Sequence, residues 1–168
     1  MAKKKRKHDS LDALDRAVKL EKEAKDYYAR LTEVTANELA HRTFHVLSER
    51  HDVHSGWLEQ VYKSPDDRRE SLPEPNVLTR SAFDDIMRQI EHSSSPTVFD
   101  ISEVQSAIVY STKMRDTYEH FAADASAGWE TKIFNALHRE EQLLLATLHD
   151  TLDYLRSNLN LSQMKIKE

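Results

Sequence analysis

The chain of 168 residues sets 24 Lys and Arg against 29 Asp and Glu and has no cysteine. The lack of cysteine excludes disulfide scaffolds, thiolate-held zinc, iron–sulfur clusters and thiol nucleophiles, and makes a reducing cytoplasmic compartment the expected one. Two glycines, four prolines and many Ala, Leu, Glu, Lys and Arg residues point to an all-α chain. With no run of about 18 apolar residues and no apolar signal core, a soluble protein without membrane association is expected.

Residues 1–9 open on five cations between Lys3 and Lys7, which repel one another, so this segment is expected to be a disordered basic tail. An import signal and a nucleic-acid arm are the alternatives. Without those five the body holds 19 cations against 29 acids, a balance that speaks against nucleic acid as a partner.

The first helix is expected over about 11–35. Ser10 is its N-cap, and Leu14, Ala17, Val18, Ala24, Tyr28 and Leu31 form one stripe at three- and four-residue spacing. A short turn leads to a second helix over about 38–63, with Phe44, Leu47, Leu58, Val61 and Tyr62 inward, so that the two make an antiparallel hairpin. All four prolines, Pro65, Pro73, Pro75 and Pro96, fall in the stretch that follows and mark it as a long crossover connection. Within it, Phe83, Ile86, Met87 and Ile90 predict a short amphipathic helix over about 79–91.

The third helix is expected over about 102–123, with Asp100 and Glu103 at capping-box spacing and Val104, Ala107, Ile108, Met114, Tyr118 and Phe121 inward. The fourth is expected over about 127–156, carrying Ile133, Phe134, Leu137, Leu144, Leu145, Leu148, Leu152 and Leu155. Residues 158–168 form a polar C-terminal tail, so the bundle spans 10–157.

One constant offset of 90 residues lays the halves over each other: Ala17 on Ala107, Asp26 on Asp116, Tyr28 on Tyr118, Phe44 on Phe134, Leu47 on Leu137 and Leu58 on Leu148. Each hairpin alone would expose an apolar stripe. Two repeats packed face to face make an antiparallel four-helix bundle, the predicted architecture.

Polar residues interrupt these stripes at one depth. Glu21, His51, His54, Ser111 and Glu141 stand where the period calls for apolar side chains, and a buried charge is costly unless paired or metal-bound. His51 and His54, three apart, leave one helix face together, and Glu21 and Glu141 approach from other helices, so two imidazoles and two carboxylates can form a metal cage. The alternative is a metal-free network in which these groups satisfy one another. Tyr28 and Tyr118 read as core, with hydrogen bonding to the site as the alternative, and Met114 reads as core; Glu23, Asp52, His138 and Glu140 read as solvated flanks, substitute ligands only if the helical phase is off by one. His41, His45 and His149 read as surface.

The run Ala17-Val18-x-x-Glu21-x-Glu23-Ala24-x-x-Tyr27-Tyr28, followed by Phe44-x-x-Leu47-x-x-x-His51-x-x-His54, resembles the rubrerythrin-like branch of the ferritin-like superfamily. The resemblance covers nearly the whole helical core. It implies a ferritin-like bundle in which two helices each give a Glu and two give a Glu-x-x-His pair to a di-iron centre. Glu21, His54 and Glu141 match those ligands, whereas His51, Ser111 and Leu144 replace a Glu, a Glu and a His. Both Ser111 and Leu144 belong to the half-site of the third and fourth helices.

The implied site is therefore mononuclear, with Glu21, His51, His54 and Glu141 as ligands to iron, zinc or manganese. The resemblance further implies a homodimer and peroxide- or oxygen-related redox or metal handling. Lacking a Cys-rich electron-transfer module, the chain would then need an external electron donor. The competing expectation is a degenerate bundle without metal that has a structural or partner-binding role.

Overall fold

The computed structural model describes residues 2–73, 75–90 and 94–165, and among them six helices and no strand occur. In chain order these are α1 (Ala2–Val34), α2 (Glu38–Lys63), α3 (Asp66–Arg69), α4 (Phe83–Met87), α5 (Val98–Asp124) and α6 (Gly128–Lys165). α1 packs along α2, and α5 along α6, as two antiparallel hairpins. The hairpins meet through α1 against α5 and α2 against α6, while α4 lies on α2 and α6. The result is an all-α bundle.

The core contains the predicted stripes. Leu14, Ala17, Ala24, Tyr28, Phe44, Leu47 and Leu58 have no exposed surface, nor do Val104, Ala107, Tyr118, Leu144, Leu148 and Leu155. Each large apolar side chain removed from water in this way contributes about 1.5–3 kcal/mol, which a periodic helix can collect only on one face. Tyr62, expected inward, is 43% exposed, one residue before the end of α2, where its neighbour Val61 takes the buried position. Val18 and Ile108 are half-buried.

Several boundaries differ from the sequence reading. α1 is helical from Ala2 rather than capped at Ser10, so the segment expected as a disordered basic tail continues the helix. Residues 2–9 contain neither glycine nor proline, and six of the eight are Ala, Lys or Arg, which lose little on entering a helix, while salt screens repulsion between like charges. α6 likewise runs on to Lys165, nine residues past the expected end. Leu159 extends the spacing of Leu152 and Leu155 and packs on the core, and nothing breaks the helix; residues 166–168 of the expected tail lie outside the described residues.

α5 starts at Val98, because Thr97 and Asp100, not Asp100 and Glu103, form the capping box: Asp100 N donates to Thr97 Oγ1 (3.1 Å) and Thr97 N to Asp100 Oδ2 (2.7 Å). α2 is capped by Asn37, whose Oδ1 accepts from the backbone of Leu39 and Ala40.

The crossover helix shrinks from 79–91 to Phe83–Met87, since only Ile86 is fully buried there and Asp84, Asp85 and Arg88 face water; residue 91 lies outside the described residues. α3 was not anticipated. The connection is bound to the bundle by polar contacts. Ala82 N donates to Thr147 Oγ1 (2.9 Å) and Ser81 Oγ to Asp150 (3.0 Å). At the far end Asn37 Nδ2 donates to the Ser94 carbonyl (2.7 Å) and Asn37 N to Asp100 Oδ1 (3.3 Å). No helix, among the described residues, is long and apolar enough to cross a membrane.

Candidate metal centre

The polar residues that break the stripes come together in the middle of the bundle. Glu21 from α1, His51 and His54 from α2, Ser111 from α5 and Glu141 from α6 are each 0–1% exposed. Within the first hairpin His51 Nδ1 donates to Glu21 Oε2 (2.7 Å); within the second Ser111 Oγ donates to Glu141 Oε2 (2.7 Å). Between hairpins the Tyr118 hydroxyl donates to Glu21 Oε1; within the first hairpin the Tyr28 ring lies parallel to His51, centroids 5.4 Å apart and planes 3° off.

Two ring nitrogens in this space have no partner: His51 Nε2 and His54 Nδ1. Their neighbours decide what they carry. A carboxylate only accepts, so the proton of His51 sits on Nδ1, facing Glu21, and in the neutral ring Nε2 presents a lone pair. A carbonyl also only accepts, so His54 uses its Nε2–H toward Asn76 O (3.4 Å) and Nδ1 presents the lone pair. Each lone pair faces a carboxylate oxygen: His51 Nε2 is 3.8 Å from Glu141 Oε1, and His54 Nδ1 is 3.7 Å from Glu21 Oε2. Two electron-rich atoms facing each other between buried side chains call for a cation between them, either a proton or a metal ion.

Charge follows the same geometry. Burial pushes the Glu21 carboxyl upward, but His51 and then His54 outweigh it and hold the group at about 2. Burial, aided by the nearby Glu21, pushes Glu141 up to about 7, against the pull of His51 and Ser111. Burial lowers His51, yet Glu21 and Glu141 raise it overall. Burial holds the Tyr28 and Tyr118 phenols well above their ordinary value, so both stay neutral and Tyr118 keeps the proton it donates to Glu21.

Of the four residues expected as ligands, Glu21, His51 and His54 each place a donor atom within 4.8 Å of the others'. Glu141 is not in that group; it reaches the site through His51 Nε2 alone and is held on its other side by Ser111. The donor set of two imidazoles and a carboxylate suits zinc, iron or manganese.

The sequence reading missed a second layer. Glu140, taken as a solvated flank, is fully buried: its Oε1 accepts from Arg50 Nε (2.7 Å) and lies 3.8 Å from His54 Nε2, and its Oε2 accepts from the Leu78 backbone. Arg50 also donates to the Asn76 carbonyl (2.5 Å). Residues 76–78 thus form a strap over His54, fastened by one ion pair between α2 and α6. Loop segments have no period, and the only hint was a pair of opposite charges, Arg50 and Glu140, at the same 90-residue offset.

Tyr118, taken as core, is core and also a donor to the site. His41 is half-buried with Nδ1 against the Thr32 carbonyl (3.0 Å), while His45 and His149 are exposed. Comparison of the chain with protein-family models, curated proteins and solved structures finds no match in any of the three.

Proposed function

We propose that this chain is a ferritin-like, rubrerythrin-related bundle that binds one transition-metal ion through Glu21, His51 and His54, with Glu141 as a fourth ligand. One observation carries the reading: two buried imidazole lone pairs, on His51 Nε2 and His54 Nδ1, face carboxylate oxygens and have no donor. The hydrogen bond from His51 Nδ1 to Glu21 resembles the outer contact that orients a metal-bound histidine.

Support for the two-hairpin ancestry lies in features 90 residues apart. α1 and α5 end at Val34 and Asp124, and α2 and α6 begin at Glu38 and Gly128. Glu21 pairs with His51 where Ser111 pairs with Glu141. Ser48 bonds the Lys25 carbonyl where His138 bonds that of Arg115.

A bound iron or manganese would supply redox chemistry toward peroxide or oxygen, and zinc would supply none. In either case the residues of the chain bind the ion, orient it and exclude water. An external electron donor and a homodimer belong to the same reading; the exposed Val98, Phe99 and Val109 on α5 support a second copy packing there.

The competing reading is a metal-free bundle with a structural or partner-binding role. It is favoured by the fact that both carboxylates already have donors, Glu21 from His51 and Tyr118 and Glu141 from Ser111. Titration of the metal-stripped protein with cobalt(II) separates the two. The metal reading expects one ion per chain, visible ligand-field bands and loss of both in His54→Ala. A folded wild type that takes up neither cobalt nor zinc leaves only the metal-free bundle.

A further inference from the structure

Residues 12–16 of α1, the last turns of α5 and the start of α6 line a cleft of about 740 Å³. At the turn of the α1–α2 hairpin, by contrast, the connection is fastened where Asn37 bonds Ser94 and Asp100. On the other face of α6, away from the cleft lining, Arg69 lies over the Trp129 ring at 5.3 Å and Glu70 approaches Lys132 at 3.9 Å.

Glu130 lines this cleft and is 2% exposed. Its Oε2 accepts from the backbone of Ser126 (2.8 Å) and Ala127 (3.1 Å) and so caps the start of α6. Its Oε1 is buried and has no donor at all. A carboxylate with one oxygen fully used and the other stranded is a group built for a cationic donor that is not part of the chain.

The rest of the wall fits such a donor. Asp124 adds an exposed carboxylate, and Asp116 is compensated by Arg115 at 2.7 Å. Of the Lys and Arg side chains that line it, Arg16 has its Cζ over the Phe121 ring at 4.8 Å, and Lys113 is exposed. Phe121 and Phe134 give the cleft an apolar floor against which an alkyl stem can lie.

We propose that this cleft binds an alkylammonium or alkylguanidinium group, with the charged head on Glu130 Oε1 and the stem over Phe121 and Phe134. The site is separate from the metal centre and does not depend on it. The same chemistry can come from a free amine or from a Lys or Arg side chain of a partner peptide.

Calorimetric titration of the full chain with agmatine in one arm, and with a capped Ala-Arg-Ala peptide in the other, distinguishes the sources. Binding of agmatine alone assigns the site to a free amine, and binding of the peptide assigns it to a basic side chain. In either case one site per chain is expected, weakened roughly tenfold or more by Glu130→Gln and unchanged by Glu59→Gln, which lies outside the cleft. Because Glu130 also caps α6, Asp124→Asn serves as a second variant on an exposed wall position and is expected to weaken binding as well. Absence of saturable binding in both arms, or binding that Glu130→Gln leaves unchanged, overturns the proposal; should Glu130→Gln fail to fold, unchanged binding in Asp124→Asn does so. Cobalt uptake at His54 is expected to be the same in all these variants, so this outcome and that of the metal titration are read independently.

Discussion

Glu141→Gln removes a carboxyl that the fold holds at about 7, against an ordinary value of 4.5. Because the native state binds that proton more tightly than the unfolded chain does, the group stabilises fully below pH 4.5. The contribution falls away as pH rises from 4.5 to 7, and above 7 the native state carries a buried carboxylate. A shift of about 2.5 units at about 1.4 kcal/mol per unit gives on the order of 3 kcal/mol lost over that window. Glutamine keeps an acceptor for Ser111 Oγ and does not titrate. The metal-free variant should therefore gain on the wild type by up to about 3 kcal/mol between pH 4.5 and 8, with His51 giving back part of this because Glu141 helps to raise it. Urea denaturation in the presence of a chelator at pH 5, 6, 7 and 8 measures the difference directly. Parallel stability curves for the two proteins would refute the assignment of a strained, proton-holding carboxyl at this position.

Other substitutions test the site and the frame around it. Tyr118→Phe leaves Glu21 Oε1 without its hydroxyl donor and should cost roughly 1–3 kcal/mol. Tyr28→Phe, which removes a hydroxyl with no hydrogen-bond partner, should be near neutral or stabilising; equal losses in denaturant midpoint for the two would contradict the hydrogen-bond assignment. His51→Ala strands Glu21 beside an empty space and should cost roughly 3–5 kcal/mol in the metal-free protein, well above the cost of His54→Ala, as thermal unfolding would show. Thr97→Ala opens the capping box of α5 and should cost about 1 kcal/mol; a change within error would mean that the helix start is held by the connection instead.

What the sequence made legible was whatever repeats with the helix period. Leu14, Tyr28, Phe44, Leu47 and their counterparts were found because burial selects apolar residues every three or four positions, and Glu21, His51 and Glu141 were found because they violate that rule. The ends of α1 and α6 were not legible, since they are set by the absence of a breaking residue rather than by a signal. Glu140 was misread for a different reason. Its neighbour Glu141 lies on the stripe, and a helix seen alone gives no sign that residues 76–78 will cover the adjacent face and turn a flank into an interior position. Tyr118 shows the limit of pattern reading: periodicity identifies a buried ring but says nothing of what its hydroxyl will reach.

The polar layer spans the seam between the hairpins, with the Tyr118 to Glu21 hydrogen bond and the His51 to Glu141 approach crossing it. Apolar stripes of leucine and alanine are nearly indifferent to sliding by one helical turn, about 5.4 Å. The polar layer is not, because such a slide would set buried charge against hydrocarbon. The residues that qualify the centre for a metal ion therefore also act as a key that fixes the longitudinal alignment of the two halves. On that argument, replacing Glu21, His51, Ser111 and Glu141 together by apolar residues should give a bundle that still folds but whose amide spectrum shows several slowly exchanging alignments. A single sharp set of resonances would show that the connection alone dictates the alignment.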